Sequence, residues 1–330
     1  MAGKSCLGSL YRENKKPVAA SAFLVAAALL FTASIVIHVA SPHFRQLWTY
    51  MNHHVDGTAC SECANSLVPV PKATRFHISN YGFPGPVPWE WIRAHVRDEF
   101  TLGGRIQVRD LFFNTDALDS GAKPYVWVNE KIDRLASFAR ARKARFGSYG
   151  RNCTTAFFQA FDKYSIKDKK VLVIGSQLPW VESICLGFDA STITTVDFNK
   201  PIASHPKLRQ LLVDELEEIN DTWDVAVSFS SLEHDGLGRY GDPMNPNGDL
   251  DRMQKIKGLL KPGGLLFLGV PVGNDTLLYN AHRIYGPIRM PLLLSGWKLL
   301  GVFGVTSLEQ LYRENLTGEI VQPVMVLTME

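Results

Sequence analysis

The chain has 330 residues, of which 46% are hydrophobic and 20% are charged, and its formal net charge is +3 at neutral pH. This length allows one large domain, or a domain with an anchor and a stem, and the composition is too apolar for a disordered chain. The small net charge argues against the dense basic surface of nucleic-acid-binding proteins, so no nucleic-acid partner is expected.

Residues 18–40 contain no aspartate, glutamate, lysine or arginine. A helix of this length, at about 1.5 Å of rise per residue, crosses the hydrocarbon core of a bilayer. A cleaved signal peptide would have a shorter apolar region, of about 7–15 residues. We therefore expect a single transmembrane helix over residues 18–40, preceded by a tail of residues 1–17.

Positive charge flanks this predicted helix unevenly. The basic residues before it are Lys4, Arg12, Lys15 and Lys16, whereas Arg45 is the only lysine or arginine close behind it. The positive-inside rule keeps the tail cytosolic and predicts a type II membrane protein of the secretory pathway (Golgi or ER) with a luminal body. Four N-x-T sequons agree with a glycoprotein. They begin at Asn152, Asn220, Asn274 and Asn315.

Five cysteines are too few for a disulfide scaffold. Cys60 and Cys63 form a CxxC pair with His53 and His54 nearby. A local or intermolecular disulfide is favoured over zinc, because a zinc site would need all four groups to converge. No metal site is predicted, and an intermolecular disulfide would make the protein a dimer.

Residues 41–88 show no sustained periodicity and end in a proline-rich run, which is typical of a stem or linker. Residues 89–149 are interpreted as a helical lead-in region, with helices over 89–100 and 129–146. The second helix carries many arginines, which we interpret as a solvated face.

From residue 150 to the end, strand-like and helix-like segments alternate, which indicates an α/β domain with a parallel sheet and crossover helices. Predicted helices cover residues 154–164, 179–188 and 249–260. Predicted strands cover residues 171–174, 193–196, 208–213, 225–229, 265–270 and 321–327. Gly175 follows the first strand and Asp197 ends the second, at close to the ~20-residue spacing of nucleotide-binding folds. Asp214 follows the third strand, where an acid could contact adenine.

Several segments resemble the class I S-adenosylmethionine-dependent methyltransferases. They are VLVIGSQLPW (171–180), TTVDFN (194–199), DVAVSFSSLEH (224–234) and LLKPGGLLFLGVP (259–271). Together with GRYGDPMNPNGDLDRM and HRIYG, the chain resembles a nematode-abundant, methyltransferase-like family whose function is uncharacterised. The resemblance implies a Rossmann-like fold and S-adenosylmethionine as cofactor. The cofactor-binding residues it implies are Gly175, Ser176, Asp197, Asp214 and Ser230. The first loop departs from the family, because Leu178 and Pro179 stand where further glycines are usual and could crowd the cofactor.

Candidate catalytic residues follow the fourth strand. His234 is the first choice for a general base, because its ordinary pKa of about 6.5 suits proton abstraction near neutral pH. Glu233 is the second candidate, although both residues could instead serve only to hold the loop. Residues expected to contact the substrate are Arg239, Tyr240, His282 and Arg283. The acid pair Asp249 and Asp251 is interpreted as a helix cap.

These patterns leave three functions open. The first is a membrane-anchored methyltransferase that acts on a luminal small molecule or glycan. The second is a catalytically inactive descendant of the fold that binds a partner, which the altered glycine loop favours. The third, a nucleotide-sugar-dependent transferase, would suit the same membrane topology.

Overall fold

The structure is a computed structural model that describes residues 86–114, 123–144, 147, 149–305 and 321–330. The predicted tail and transmembrane helix, the CxxC pair, most of the stem and the Asn315 sequon lie outside these residues. Within the described residues, no helix is long and apolar enough to cross a bilayer.

The helices and strands are numbered in chain order. The helices are α1 (Ala94–Thr101), α2 (Asn129–Arg140), α3 (Gly150–Lys163), α4 (Trp180–Gly187), α5 (Val213–Glu217), α6 (Gly248–Leu259) and α7 (Met290–Leu293). The first six strands are β1 (Gln107–Leu111), β2 (Val126–Trp127), β3 (Lys170–Ile174), β4 (Thr192–Asp197), β5 (Ile202–Ala203) and β6 (Leu208–Leu212). The others are β7 (Trp223–Phe229), β8 (Leu260–Gly269), β9 (Thr276–Asn280), β10 (His282–Ile284), β11 (Trp297–Phe303) and β12 (Val324–Met329).

Among the described residues, seven strands form the central sheet, in the order β6-β4-β3-β7-β8-β12-β11. Strands β3, β4, β6, β7 and β8 are parallel, whereas β12 runs antiparallel to β8. The chain moves outward from β3 through β4 to β6 and then crosses to β7 on the other side of β3. This reversal makes a doubly wound sheet of the Rossmann type, in which ligands bind beyond the carboxyl ends of the strands near the reversal.

Strand β3 shows why this sheet forms. Val171 and Val173 pack into the hydrophobic cluster on one side of the sheet, which includes side chains of α2, α3 and α4. Leu172 and Ile174 pack into the cluster on the other side, with side chains of α6 and α7. Because successive side chains point to opposite faces, a strand covered by helices on both sides needs an uninterrupted apolar run. The prediction of a buried strand over residues 171–174 is confirmed.

A smaller sheet, β1-β9-β10, adds an element that the sequence did not indicate. Strand β1 is mostly exposed and polar, so it carries no apolar periodicity that would reveal a strand. Its sheet and α1 share a separate core with the loop that follows β7. That core consists of Ile92, Val96, Phe100, Ile106, Leu237, Met244, Leu277 and Tyr279. The region interpreted as a helical lead-in therefore also contains strands, and it packs beside the candidate site.

Helix α2 ends at Arg140, six residues before the predicted end at Phe146. Arg142 adopts a left-handed backbone conformation with φ of 55°, and the Lys143 N–H bonds to the Phe138 carbonyl. This closing turn satisfies the last carbonyls and ends the helix. The predicted last strand is also displaced, from residues 321–327 to Val324–Met329.

Candidate functional site

A cavity of about 470 Å³ opens at the carboxyl ends of β3, β4 and β7. Gly175, Asp197 and Ser230, which follow or end these three strands, all line it. The volume lies within the range of about 300–1,000 Å³ that is usual for small-molecule sites. The carboxyl ends of neighbouring parallel strands thus bring together residues that are up to 55 positions apart in sequence.

Gly175 makes the turn after β3. Its φ is +71°, and a Cβ placed on it would lie 1.9 Å from the Ser231 hydroxyl oxygen. Both the left-handed backbone and the close approach of Ser231 therefore require glycine.

Gly175→Ala is expected to lower the free energy of unfolding by about 3–5 kcal/mol, because backbone strain adds to a steric clash. Gly263→Ala is the matched control, since Gly263 has a φ of +74° with nothing within 4 Å of the added Cβ. It should cost only the strain, about 1–2 kcal/mol. Urea unfolding measures both values, and equal losses would show that Ser231 does not crowd Gly175.

Asp197 ends β4, and its carboxylate is held by backbone N–H groups of the turns that follow β3 and β4. One oxygen accepts a 3.0 Å hydrogen bond from the Ser176 N–H, and the other accepts a 2.7 Å bond from the Asn199 N–H. Burial raises the pKa of Asp197 and nearby Asp235 adds to the rise, while the two N–H donors oppose it. Each oxygen keeps a second lone pair for a ligand hydroxyl.

Leu178 and Trp180 line the cavity without filling it. Leu178 is 42% exposed, whereas Trp180 is buried and packs edge-on against Phe157 and Phe229. The Trp127 indole N–H donates to the Gln177 carbonyl at 3.1 Å and fixes the loop from outside. The bulky first loop therefore takes a path that leaves the groove open.

Glu233 lies behind the turn after β7 and is 1% exposed. The Ser230 hydroxyl lies 2.7 Å from one of its carboxyl oxygens, and within the described residues the other oxygen is buried without a partner. Burial raises the pKa of Glu233 to about 8. Glu233 is thus a neutral acid near pH 7, able to donate a hydrogen bond but not to act as a strong base.

Glu233→Gln is expected to change how stability depends on pH. The pKa of Glu233 rises on folding from 4.5 to about 8. Between these values the folded chain keeps a proton that the unfolded chain loses, so this contribution to stability falls as the pH rises through 8. Glutamine removes the titration. From about pH 5 to about pH 8.5 the wild type should lose on the order of 2–4 kcal/mol relative to the variant in urea unfolding. Parallel curves for the two proteins would contradict a neutral Glu233.

His234 follows Glu233 and also lines the cavity. Its Nδ1 lies 2.5 Å from the Ala281 carbonyl, so Nδ1 carries the proton and Nε2 keeps a lone pair. Burial lowers the pKa of His234 to about 3, and the Arg239 charge lowers it further. His234 is therefore neutral at physiological pH. This tautomer allows Nε2 to accept a hydrogen bond from a hydroxyl group.

The glycine-rich loop after β7 is organised by Asp242. Its buried carboxylate accepts hydrogen bonds from the N–H groups of Gly236, Gly238 and Tyr240, at 2.8 to 3.2 Å. The loop places Tyr240 and Arg239 in the cavity wall. The Arg239 guanidinium stacks 4.2 Å from the centre of the Phe113 ring, which also lines the cavity.

His282, from β10, lines the cavity beside Arg239 and Tyr240. The centre of its ring lies 6.1 Å from the centre of the His234 ring. Burial lowers its pKa to about 4, with a further contribution from the Arg239 charge. Three of the four predicted substrate-contacting residues, Arg239, Tyr240 and His282, thus meet in one place.

Two predicted site residues lie elsewhere. Asp214 is exposed in the first turn of α5 and does not line the cavity. Arg283 is 3% exposed and donates to the carbonyl oxygens of Asp235 and Pro246, at 2.7 and 3.2 Å. It thus holds the loop after β7 and does not line the cavity.

The interpretation of Asp249 as a helix cap is also corrected. Asp249 is fully buried, and its two carboxylate oxygens accept hydrogen bonds from Nη2 and Nε of Arg289, at 2.6 and 2.9 Å. The Tyr285 hydroxyl donates to it at 2.9 Å, and Arg283 lies 3.8 Å away. The segments GRYGDPMNPNGDLDRM and HRIYG are thus joined by a buried ion network.

Among the described residues, no group of three histidine, cysteine or acidic side chains is arranged to hold a metal ion. Asp235, which lines the cavity, instead pairs with Arg252 at 2.8 Å.

Residues 168–323 match the family model described as "Caenorhabditis protein of unknown function, DUF268". Over this segment the resemblance to a nematode family is confirmed. A comparison with curated proteins returned no match.

Similar solved structures include methyltransferases. The Burkholderia thailandensis 1,6-didemethyltoxoflavin-N1-methyltransferase, solved with S-adenosylhomocysteine, has 15% identity and a TM-score of 0.39, covering 63% of this chain and 92% of that one. A cyclopropane-fatty-acyl-phospholipid synthase-like protein from Lactobacillus casei has 11% identity and a TM-score of 0.38, covering 61% and 98%. The scores are low, so the Rossmann-type assignment rests on strand order and direction.

Proposed function

We propose that this protein is a membrane-anchored methyltransferase that uses S-adenosylmethionine. One observation carries the proposal: Gly175, Asp197 and Ser230, at the ends of three adjacent parallel strands, surround a single open cavity. In doubly wound folds this position binds nucleotide-like ligands.

The residues present fit an adenosyl group. Ile174, Val196, Phe198 and Val213 supply apolar walls beside the Asp197 carboxylate. An apolar surface suits the adenine ring, and a carboxylate with spare lone pairs suits the two ribose hydroxyls. The sequence suggested that Leu178 and Pro179, which replace further glycines in the first loop, could crowd the cofactor. The path of this loop leaves the groove open, so it does not argue against cofactor binding.

Bound S-adenosylmethionine would supply an electrophilic methyl group. The task of the protein is then to align an acceptor atom and to exclude water. The Nε2 atom of His234 can accept a hydrogen bond from an acceptor hydroxyl and so orient its nucleophilic oxygen. Its low pKa makes it a weak base, which favours orientation over full proton removal before transfer.

Calorimetry tests the proposal. The full-length chain in detergent micelles is titrated with S-adenosylmethionine and, separately, with S-adenosylhomocysteine. Saturable binding of both ligands is expected. If neither ligand binds, the methyltransferase proposal fails and the protein is better described as a binding protein built on the same fold.

The acceptor and the membrane topology are further parts of the proposal. The far end of the cavity combines aromatic and polar groups, which suit a small hydroxylated acceptor such as a glycan. It is formed by Phe113, Tyr149, Arg239, Tyr240 and His282. The uneven basic charge around residues 18–40 supports a luminal location for this cavity.

An N-linked glycan at Asn220 is the expected sign of that topology. Asn220 and Thr222 are both exposed, in the loop between α5 and β7. The threonines of the Asn152 and Asn274 sequons are buried, Thr154 at 0% and Thr276 at 4% exposure.

Wild-type protein from animal cells should lose mass on treatment with a glycosidase that removes N-linked glycans, and Asn220→Gln should remove one glycan. Asn274→Gln is the matched control and should leave the mass unchanged. A chain carrying no glycan, even at a sequon engineered into its C-terminus, would contradict the luminal topology.

A further inference from the structure

Glu182 is a buried acid that the proposed chemistry does not use. It lies in the first turn of α4, directly after the cofactor loop, and is 0% exposed. Its carboxyl oxygens lie 3.0 Å from the Ser176 hydroxyl and 2.9 Å from the Thr195 hydroxyl. One side chain thus joins the loop after β3 to strand β4.

The hydrogen bonds around Ser176 fit a protonated Glu182. The Ser176 hydroxyl has one hydrogen, yet the Leu178 carbonyl and a Glu182 oxygen both lie 3.0 Å from it. Two acceptors cannot share that hydrogen fully. If Glu182 is protonated, it donates to Ser176, and Ser176 donates to Leu178. Thr195 then donates to the other Glu182 oxygen. An ionised Glu182 would instead accept from both hydroxyl groups, because the Leu178 carbonyl also accepts a 2.8 Å bond from the Trp180 N–H. In both protonation states Glu182 bonds to Ser176 and Thr195.

The electrostatic surroundings agree with this arrangement. Burial raises the pKa of Glu182 to about 7, and the nearby Asp197 charge adds to the rise.

We propose that Glu182 is a positioning residue for the cofactor, which fixes Ser176 through a side-chain hydrogen bond and thereby holds Asp197 in place. The link is direct, because the Ser176 N–H donates to Asp197 while the Ser176 side chain binds Glu182. Side-chain hydrogen bonds thus fix a loop that carries Leu178 and Pro179 in place of further glycines. The identity of the ligand rests on the proposed function.

Affinity for S-adenosylhomocysteine tests this role in the full-length chain. Glu182→Ala should weaken binding about tenfold or more, because it leaves buried hydroxyl groups without a partner. Glu182→Gln should bind within about threefold of wild type, since its amide can donate to Ser176 and accept from Thr195. The control is Ile184→Ala, a fully buried site in the same helix. It should destabilise the fold and leave affinity within about threefold.

A second variant covers the case in which Glu182→Ala does not fold. Ser176→Ala removes the link and leaves α4 intact, and it should weaken binding to a similar extent. Wild-type affinity in either folded variant, or failure of Glu182→Gln to restore binding, would overturn the positioning role.

Amide hydrogen exchange separates this inference from the proposed function, because it needs no ligand. The Ser176 amide should exchange faster in Glu182→Ala than in Ile184→Ala at matched stability. If wild type fails to bind S-adenosylhomocysteine, the proposed function fails, and the exchange rates still decide the role of Glu182. Equal rates would overturn it.

Discussion

Asp249→Asn is expected to lower the free energy of unfolding by about 3–5 kcal/mol, because it leaves a buried guanidinium without its counter-charge. Arg289 is 1% exposed and makes two hydrogen bonds to Asp249. Burial alone would raise the pKa of Asp249, but the charges of Arg283 and Arg289 outweigh it and hold the pKa below its usual value. Asparagine is nearly the same size, so the loss measures charge and hydrogen bonding and not packing.

Asp251→Asn is the matched control for this prediction. Asp251 lies two residues further along the same helix, but it is exposed, and its carboxylate accepts a 2.7 Å hydrogen bond from the Asn245 amide. Its replacement should change stability by less than about 0.5 kcal/mol. Urea unfolding of the two variants side by side gives the comparison. A loss at Asp249 no larger than at Asp251 would contradict a structural ion network.

Asp197→Ala is expected to weaken S-adenosylhomocysteine binding by about a hundredfold or more. Two hydrogen bonds to a charged carboxylate are worth about 1.5–3 kcal/mol each, and about 1.4 kcal/mol is tenfold in affinity. Binding of adenine alone should change far less, because adenine lacks the ribose hydroxyls. This difference separates loss of a ribose contact from collapse of the cavity.

Asp214→Ala is the control for this second variant, because both acids end or follow strands of the same sheet. Only Asp197 lines the cavity. Asp214→Ala should therefore bind the ligand as wild type does in calorimetry. An equal loss at both positions would place the adenine near Asp214 and would contradict the geometry of the cavity.

The Rossmann-type sheet could be predicted from local pattern because its central strands are buried on both faces. Such strands must be short, nearly continuous apolar runs, as at Val171–Ile174 and, apart from Ser228, Val225–Phe229, and they are visible without knowledge of their neighbours. The spacing of Gly175 and Asp197 then indicated where the carboxyl ends of the first two strands of the sheet lie. The small sheet β1-β9-β10 escaped prediction, because β1 is polar and exposed on both faces.

Chain pattern alone therefore established the α/β class, the positions of its main strands along the chain and the glycine and acid at their tips, since each depends on residues close together in sequence. Only the tertiary structure determines which charged groups are buried and which residues they pair with. Asp249 meets Arg289 across 40 positions, and Glu233 becomes a neutral acid only when packing removes water from it. Partners and dielectric surroundings of this kind arise from contacts between distant segments, which no local pattern records.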